Sequence, residues 1–295
     1  MAKASRSLLR RIRSVQNTRK ITKTMELVSA SKLRRATERV NAARPYAEAL
    51  RDVLGDLLSP ELVERFPLLR QPAPPAKGGS NRAAVILVTS NRGLCGAFNA
   101  NLIKEARRRL TALEAEGYAV DLYTIGKKGG AYFRFVGRKP VKERNDIGDK
   151  PTPAHAAEIA EALMAAFIAG EVGWVEFVHT RYNSPLSTPP VTTRVLPVEL
   201  PATTEGRKQR DYLLAPSAEA ILTELLPLYV RNAIYRGLVE AAAGEHGARR
   251  TAMKSATDNA QELLGILRRT YNRQRQAGIT QEISEIVGGA AALEG

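Results

Sequence analysis

The sequence predicts an α/β domain inserted between two long helices, and those helices are predicted to pair with each other as an antiparallel coiled coil. Three observations lead there. Near the start, apolar or small residues recur at steps of mostly three and four (Leu8, Ile12, Val15, Ile21, Met25, Val28, Ala36, Val40 and on to Leu57), the period of a helix with one buried face. From Ser217 the same spacing returns through Ile221, Leu225, Leu228, Tyr235, Val239, Met253, Ala260, Leu263 and Leu267. Between them, strand-like and helix-like segments alternate, which implies right-handed crossovers and a mostly parallel sheet.

The first helix is predicted over residues 1–58, about 75 Å long at 1.5 Å per residue, and no helix of that length buries its stripe alone. Residues 59–81 hold Pro60, Pro67, Pro72, Pro74, Pro75, Gly78 and Gly79 and read as a linker. The α/β domain is expected over residues 82–214, with strands at 84–90, 119–125 and 174–181 and helices at 97–116 and 153–169. Residues 190–200 form an edge strand bounded by prolines. The second long helix fills residues 215–295, with Pro227 set to bend its first turns and Gly288 and Gly289 to loosen its end after about Val287. Antiparallel pairing at equal rise matches residues whose numbers total about 275, so Val40 falls near Tyr235 and Met25 beside Arg249, Arg250 or Met253. Residues beyond about Arg275 then have no partner and form a single-helix tip bearing Ile279, Ile283, Ile286, Val287 and Ala290.

Composition narrows the function. The formal net charge of +15 and pI of about 10.1 point to acidic or polyanionic partners. Much of the excess lies early: residues 1–44 carry thirteen Lys or Arg against two Glu. A transit peptide and a solvated helix face are both consistent with that segment taken alone. No apolar run approaches the roughly 20 residues of a spanning helix, so membrane association is expected only through partners. A single cysteine, Cys95, forms no internal disulfide, and His155, His179 and His246 are too scattered for a metal cluster.

Two loops resemble phosphate sites at first sight. The stretch from Thr89 through Arg92, Gly93, Leu94, Cys95 and Gly96 to Asn99 follows a strand and opens a helix, yet lacks the G-x-G-x-x-G spacing, and Asp121 stands inside the second strand rather than at its end. Residues 126–130 (Gly-Lys-Lys-Gly-Gly) lack the spacing and hydroxyl of a P-loop and read as a strand-end turn. No catalytic constellation and no cofactor or metal site is expected.

Four motifs carry more. They are Ile12 to Leu33 (IRSVQNTRKITKTMELVSASKL), the Arg92-Gly93-Leu94-Cys95-Gly96 loop with Phe98-Asn99, Met253 to Ala260 (MKSATDNA), and Tyr271 to Ala290 (YNRQRQAGITQEISEIVGGA). Together they closely resemble the gamma subunit of F-type ATP synthases, of bacterial type, across essentially the whole chain. That resemblance implies a non-catalytic rotor shaft with a Rossmann-like domain as its foot. The shaft would couple ion-driven rotation of a c-subunit ring to ATP synthesis or hydrolysis in a hexamer of alpha and beta subunits, with an epsilon subunit beside the foot. It implies a proton-translocating complex on the cytoplasmic face of the cell membrane, and makes the basic segment part of the shaft rather than a transit peptide. The stripe of Lys20, Lys23, Lys32, Arg34 and Arg35 would face acidic loops of beta. Carried over by motif, Lys23, Met25, Arg249, Arg275, Gln276, Thr280 and Glu282 are expected to contact beta, and Tyr212 to lie at the foot near the c ring or epsilon. Plastid relatives switch through a cysteine pair, and Cys95 alone implies no such switch. A basic coiled-coil protein that binds nucleic acid is the alternative, weakened by the scarcity of aromatics for stacking; a dinucleotide enzyme is weakened by the missing fingerprint.

Overall fold

The computed structural model describes residues 2–57, 60–71, 81–199 and 217–294, which fall into two compact units, residues 1–28 with 250–295 and residues 29–249. Two long helices, α1 (Ala2–Leu57) and α6 (Ala218–Glu294), contribute to both. Each runs through an internal proline, Pro45 and Pro227, without a break. Helix α6 continues through Gly288 and Gly289, the residues expected to loosen its end, to Glu294. A segment read as linker begins with a short helix, α2 (Pro60–Arg65), whose proline stands at its first position, where no N–H is needed.

In the unit of residues 29–249 a five-stranded sheet is ordered β3-β2-β1-β4-β5. Strands β1 (Arg82–Val88), β2 (Ala119–Ile125), β3 (Lys142–Arg144) and β4 (Trp174–Thr180) are parallel; β5 (Pro190–Leu196) runs antiparallel along the edge of β4. Proline at the first residue of β5 costs no ladder bond there. Strand β1 is buried on both faces. Ala84, Ile86 and Val88 join a core with α5 (Pro153–Ile168) and the α1 and α6 residues Leu50, Leu54, Leu222, Leu226 and Val230. Ala83, Val85 and Leu87 face Leu102, Ala106, Leu110 and Leu113 of α3 (Phe98–Ala115). Leu33, Ala36, Val40, Tyr182, Val239 and Ala243 form a further buried cluster with Tyr235 packed on it, which brings Val40 and Tyr235 into one neighbourhood.

Residues 127–135 correct the expected turn: Gly126, at φ 96°, is followed directly by α4 (Lys127–Phe135). The glycine is needed twice over, for the positive φ and because a Cβ would overlap the Thr89 carbonyl. Thr89 Oγ1 accepts from Gly129 N at 2.9 Å and fixes the first turn. Strand β3 was also missed, since three residues are too few to show a period.

Helix α6 lies on the sheet at glycine-limited distance. A Cβ at Gly237 would stand 2.9 Å from Phe177 Cδ1 and closer still to Cε1; at Gly244 it would be 2.6 Å from Thr180 Oγ1, and at Gly247 3.1 Å from the Pro185 carbonyl oxygen. Phe177 is 1% exposed and has no room to yield. Gly237→Ala is expected to lower the unfolding free energy by about 1–2 kcal/mol in urea titration, overpacking outweighing the gain in helix propensity. Gly278→Ala, with nothing within 4 Å of its Cβ position, is expected to leave the midpoint unchanged or raised.

Candidate functional site

In the unit of residues 1–28 with 250–295, α1 and α6 pack antiparallel around Ile12, Leu264 and Leu267, with Leu8, Val15, Leu263 and Tyr271 alongside. Thr257 Oγ1 donates to Thr22 Oγ1 at 2.8 Å, and an Arg19 guanidinium N–H donates to Gln261 Oε1. These pairs total 279 and 280, one helical turn from the expected 275. The seam here departs from the apolar stripe read in the sequence. Along α1 the positions Val15, Thr22, Ser29 and Ala36 recur every seven residues, and Thr22, Ser29 and Ala36 are buried. Ile21 and Val28, expected inside, are instead 60% and 51% exposed, with Leu27 at 59%. Buried hydroxyls sit at the seam and large apolar side chains on the outside, an inversion that leaves an apolar surface beside Lys20 and Lys23. Lys23 is exposed and ion-paired with Glu26 at 3.2 Å; Met25 is half-buried.

The last part of α6 is bare. From Asn272 to Ala290 every residue except the half-buried Gly278 is exposed, including Arg275, Gln276, Thr280 and Glu282. Ile279, Ile283, Ile286 and Val287 are 49–72% exposed on a single helix. Apolar side chains at three- and four-residue steps with no cover make a surface shaped for another protein.

A second constellation occupies the unit of residues 29–249, where the loop after β1 and the loop holding Asp149 meet the two helices. Arg249 is 8% exposed, pairs with Glu245 at 2.7 Å, and donates from Nη2 to the Arg92 carbonyl at 3.3 Å and from Nε to the Gly93 carbonyl at 3.3 Å. The turn carrying these carbonyls is tight: Leu94 adopts φ 62°, an unusual conformation for a residue with a side chain. Lys32 Nζ pairs with Asp149, Arg39 Nη1 donates to the Asp149 carbonyl at 3.2 Å, and His246 Nε2 stands 3.4 Å from Asp149 Oδ1. Burial, the largest single influence, pushes Asp149 up, but the hydrogen bond from Lys32 together with the charges of His246, Lys32 and Arg249 outweighs it and holds the carboxyl below its ordinary value. Burial raises Glu245, partly offset by Arg249, and drives His246 down from 6.5 to about 4.

The network ties loop to helix. In open α/β sheets ligands bind at the carboxyl ends of the strands where the winding reverses, here between β1 and β4. That crevice is filled by the chain itself: Gly244 sits against Thr180 and Phe98, and Arg249 takes the carbonyls of the loop that would cradle a phosphate. In the same loop Asn99 binds back to Ser90, its Oδ1 accepting from Ser90 N at 3.0 Å. Among the described residues no group of His, Cys, Asp or Glu is placed to hold a metal, and no helix is long and apolar enough to cross a membrane.

Of the site residues read from the sequence, Lys23, Arg275, Gln276, Thr280 and Glu282 are on the surface, Met25 is half-buried and Arg249 is internal. Tyr212 lies outside the described residues. Asp149 and His246 were not singled out, because they lie 97 residues apart in the sequence and no local pattern joins them.

The folded chain keeps His246 neutral while the unfolded chain protonates it below about 6.5, so its contribution is complete above that value and is lost as pH falls toward 4. Relative to His246→Gln, the native chain is expected to lose on the order of 2 kcal/mol between pH about 7 and about 4.5 in urea titrations. Glu245 titrates in both proteins and cancels in the difference.

Comparison with known proteins gives a single answer. The family described as ATP synthase matches residues 4–293. A relative from Gemmatimonas aurantiaca named ATP synthase gamma chain is 59% identical over 296 residues, covering all of both chains. One of the same name from Frankia casuarinae is 45% identical, with 99% of each chain covered. Among solved structures, a chain of the Euglena gracilis mitochondrial ATP synthase, determined as its OSCP/F1/c-ring assembly, superposes with a TM-score of 0.69 at 20% identity, covering 99% of this chain and 95% of that one. A chain from the rotor of the same enzyme gives 0.66 at 19%, covering 95% and 100%. These two show a shared fold.

Proposed function

Since the chain belongs to the ATP synthase gamma-chain family, we propose that it is the central shaft of a rotary ATP synthase, coupling the turning of a membrane ion-driven ring to the nucleotide sites of a surrounding catalytic head. It is a non-catalytic subunit. The observation that carries the reading is the uncovered end of α6, where Ile279, Ile283, Ile286 and Val287 are exposed on one unpaired helix. Apolar attraction is non-directional. A helix presenting it can therefore turn inside an apolar collar without breaking a fixed set of hydrogen bonds, while the collar removes a surface that would drive a free chain to aggregate.

Torque is delivered by contacts that differ around the helix pair. A neighbouring catalytic subunit that meets Ile21 and Val28 at one angle and Lys20 and Lys23, with Leu27 between them, at another is stabilised in different conformations at each, which is how rotation becomes a sequence of affinity states. The basic face would meet acidic loops of beta subunits, with Met25 at its border. Arg275, Gln276, Thr280 and Glu282 would meet beta along the tip. Arg249, buried as it is, would serve that contact indirectly by holding the Arg92-Gly93 turn. The α/β domain, with Tyr212, is assigned to the c ring and an epsilon subunit, in a proton-translocating complex on the cytoplasmic face of the membrane. The relatives and the solved folds lend nothing to a nucleic-acid partner.

Arg275→Glu combined with Gln276→Glu is expected to reduce ATP turnover of a complex reconstituted with alpha and beta chains by about tenfold or more, since both side chains serve a partner. Far-UV circular dichroism of the isolated variant should match the native chain. Loss of helicity in isolation would show that these residues hold the fold and would remove them from the contact surface.

A further inference from the structure

We propose that a cleft beside the carboxyl end of β4, in the unit of residues 29–249, binds a phosphate group, a site independent of the shaft reading. The cleft measures about 160 Å³. Three guanidinium groups line it from three parts of the chain: Arg51 of α1, Arg181 just beyond β4, and Arg236 of α6.

One carboxylate faces them. Glu240 is 3% exposed and both of its oxygens are engaged, Oε1 by Arg236 Nε at 2.8 Å and Oε2 by the backbone N–H of Tyr182 at 3.2 Å. It therefore neutralises one guanidinium. Among the described residues neither Arg51 nor Arg181, both exposed, has a carboxylate partner, so the described lining side chains carry two net positive charges and two unpaired planar forks. Asn232 is also on the wall, but solvent does not reach its Nδ2, which therefore adds no contact to an anion in the cleft. His179 takes no part as a ligand, because Nδ1 is engaged with the Thr180 carbonyl at 3.0 Å and Nε2 with Thr193 Oγ1 at 3.2 Å.

Charge and size together select the ligand. Two unpaired guanidinium forks suit a doubly charged tetrahedral oxyanion better than a single carboxylate, which would leave one positive charge unmatched. The volume lies below the ~300–1,000 Å³ of pockets that enclose whole drug-sized ligands, so a nucleoside would not enter and a phosphate group would. The position is also apt. Phosphates bind at the carboxyl ends of parallel strands, and the flank of β4 beside β5 is an open part of that end.

Free phosphate and the headgroup of an anionic lipid share this chemistry, and two arms separate them. In one, the full chain is titrated with inorganic phosphate by calorimetry against chloride at matched ionic strength. In the other, it is sedimented with phosphatidylcholine vesicles with and without phosphatidylglycerol. Binding is expected in at least one arm, weakened about tenfold or more by Arg51→Gln with Arg181→Gln. Arg34→Gln, which removes an 84% exposed guanidinium from the same helix, should leave it unchanged. Should the double glutamine variant fold poorly, Arg51→Lys with Arg181→Lys keeps charge and stem, loses the fork, and should still weaken binding. Absence of binding in both arms, or equal weakening by Arg34→Gln, overturns the proposal.

Discussion

The close seating of α6 on the carboxyl ends of β1 and β4 is the constraint from which the rest of the residue 29–249 unit follows. Three glycines permit it, at positions 237, 244 and 247, each facing an atom that a side chain would displace. Because the helix lies so near, Leu222, Leu226, Val230, Ile234 and Leu238 share one core with β1, β4 and α5, and Leu50 and Leu54 of α1 complete it. A sheet that shares its core with both long helices cannot swivel on them without exposing that core. The same seating closes the crevice in which this type of sheet elsewhere holds a nucleotide. Loss of a ligand site and gain of a rigid attachment are thus one structural event. Arg249 completes the attachment on the first-strand loop, and Lys32, Arg39 and His246 complete it on the loop of Asp149.

What the sequence revealed and what it hid divide along one line. Long elements with a strong period were legible: the two terminal helices, the buried run of β1, the proline-bounded edge strand and the unpaired end of α6. Features set by tertiary contact were not. Helix α4 begins in a Gly-Lys-Lys-Gly-Gly run that local propensity disfavours, and it exists because Thr89 binds its first turn and glycines let it approach β1. Ile21 and Val28 matched the apolar period, but the partner helix offers Thr257 to Thr22, and that pairing turned them outward. The Asp149–His246 cluster left no trace in the sequence because its members come from separate segments. Arg249 was identified through its motif as a partner contact, whereas its guanidinium is committed to carbonyls of its own chain.

The hydroxyls at the helix seam bear on function more than on stability. A seam of Leu or Ile at positions 22 and 257 would bury more apolar area and hold the helices more firmly. Thr22 and Thr257 give up some of that gain, and the hydrogen bond between their hydroxyls is directional and defined by register, so it favours one alignment of the helices in the way polar residues do in other coiled coils. A part that transmits angle benefits from a single register more than from a few further kcal/mol of burial, because a one-turn slip would shift every outward side chain relative to its neighbours.

The outward side chains then form a surface of alternating character. Lys20 and Lys23 lie on the same exposed stretch of α1 as Ile21, Leu27 and Val28, so a neighbour travelling around this segment meets both charge and apolar surface. Exposed ion pairs are weak and screened by salt, while apolar contact is stronger but indifferent to direction. Neither kind alone would serve. Charge without apolar contact would give too small a difference between angular positions to shift a partner's conformation, and apolar contact without charge would give no preferred angle. A surface that alternates in this way on a helix pair held to one register would give a partner an interaction energy that varies with angle, which is the physical requirement for converting rotation into ordered conformational change.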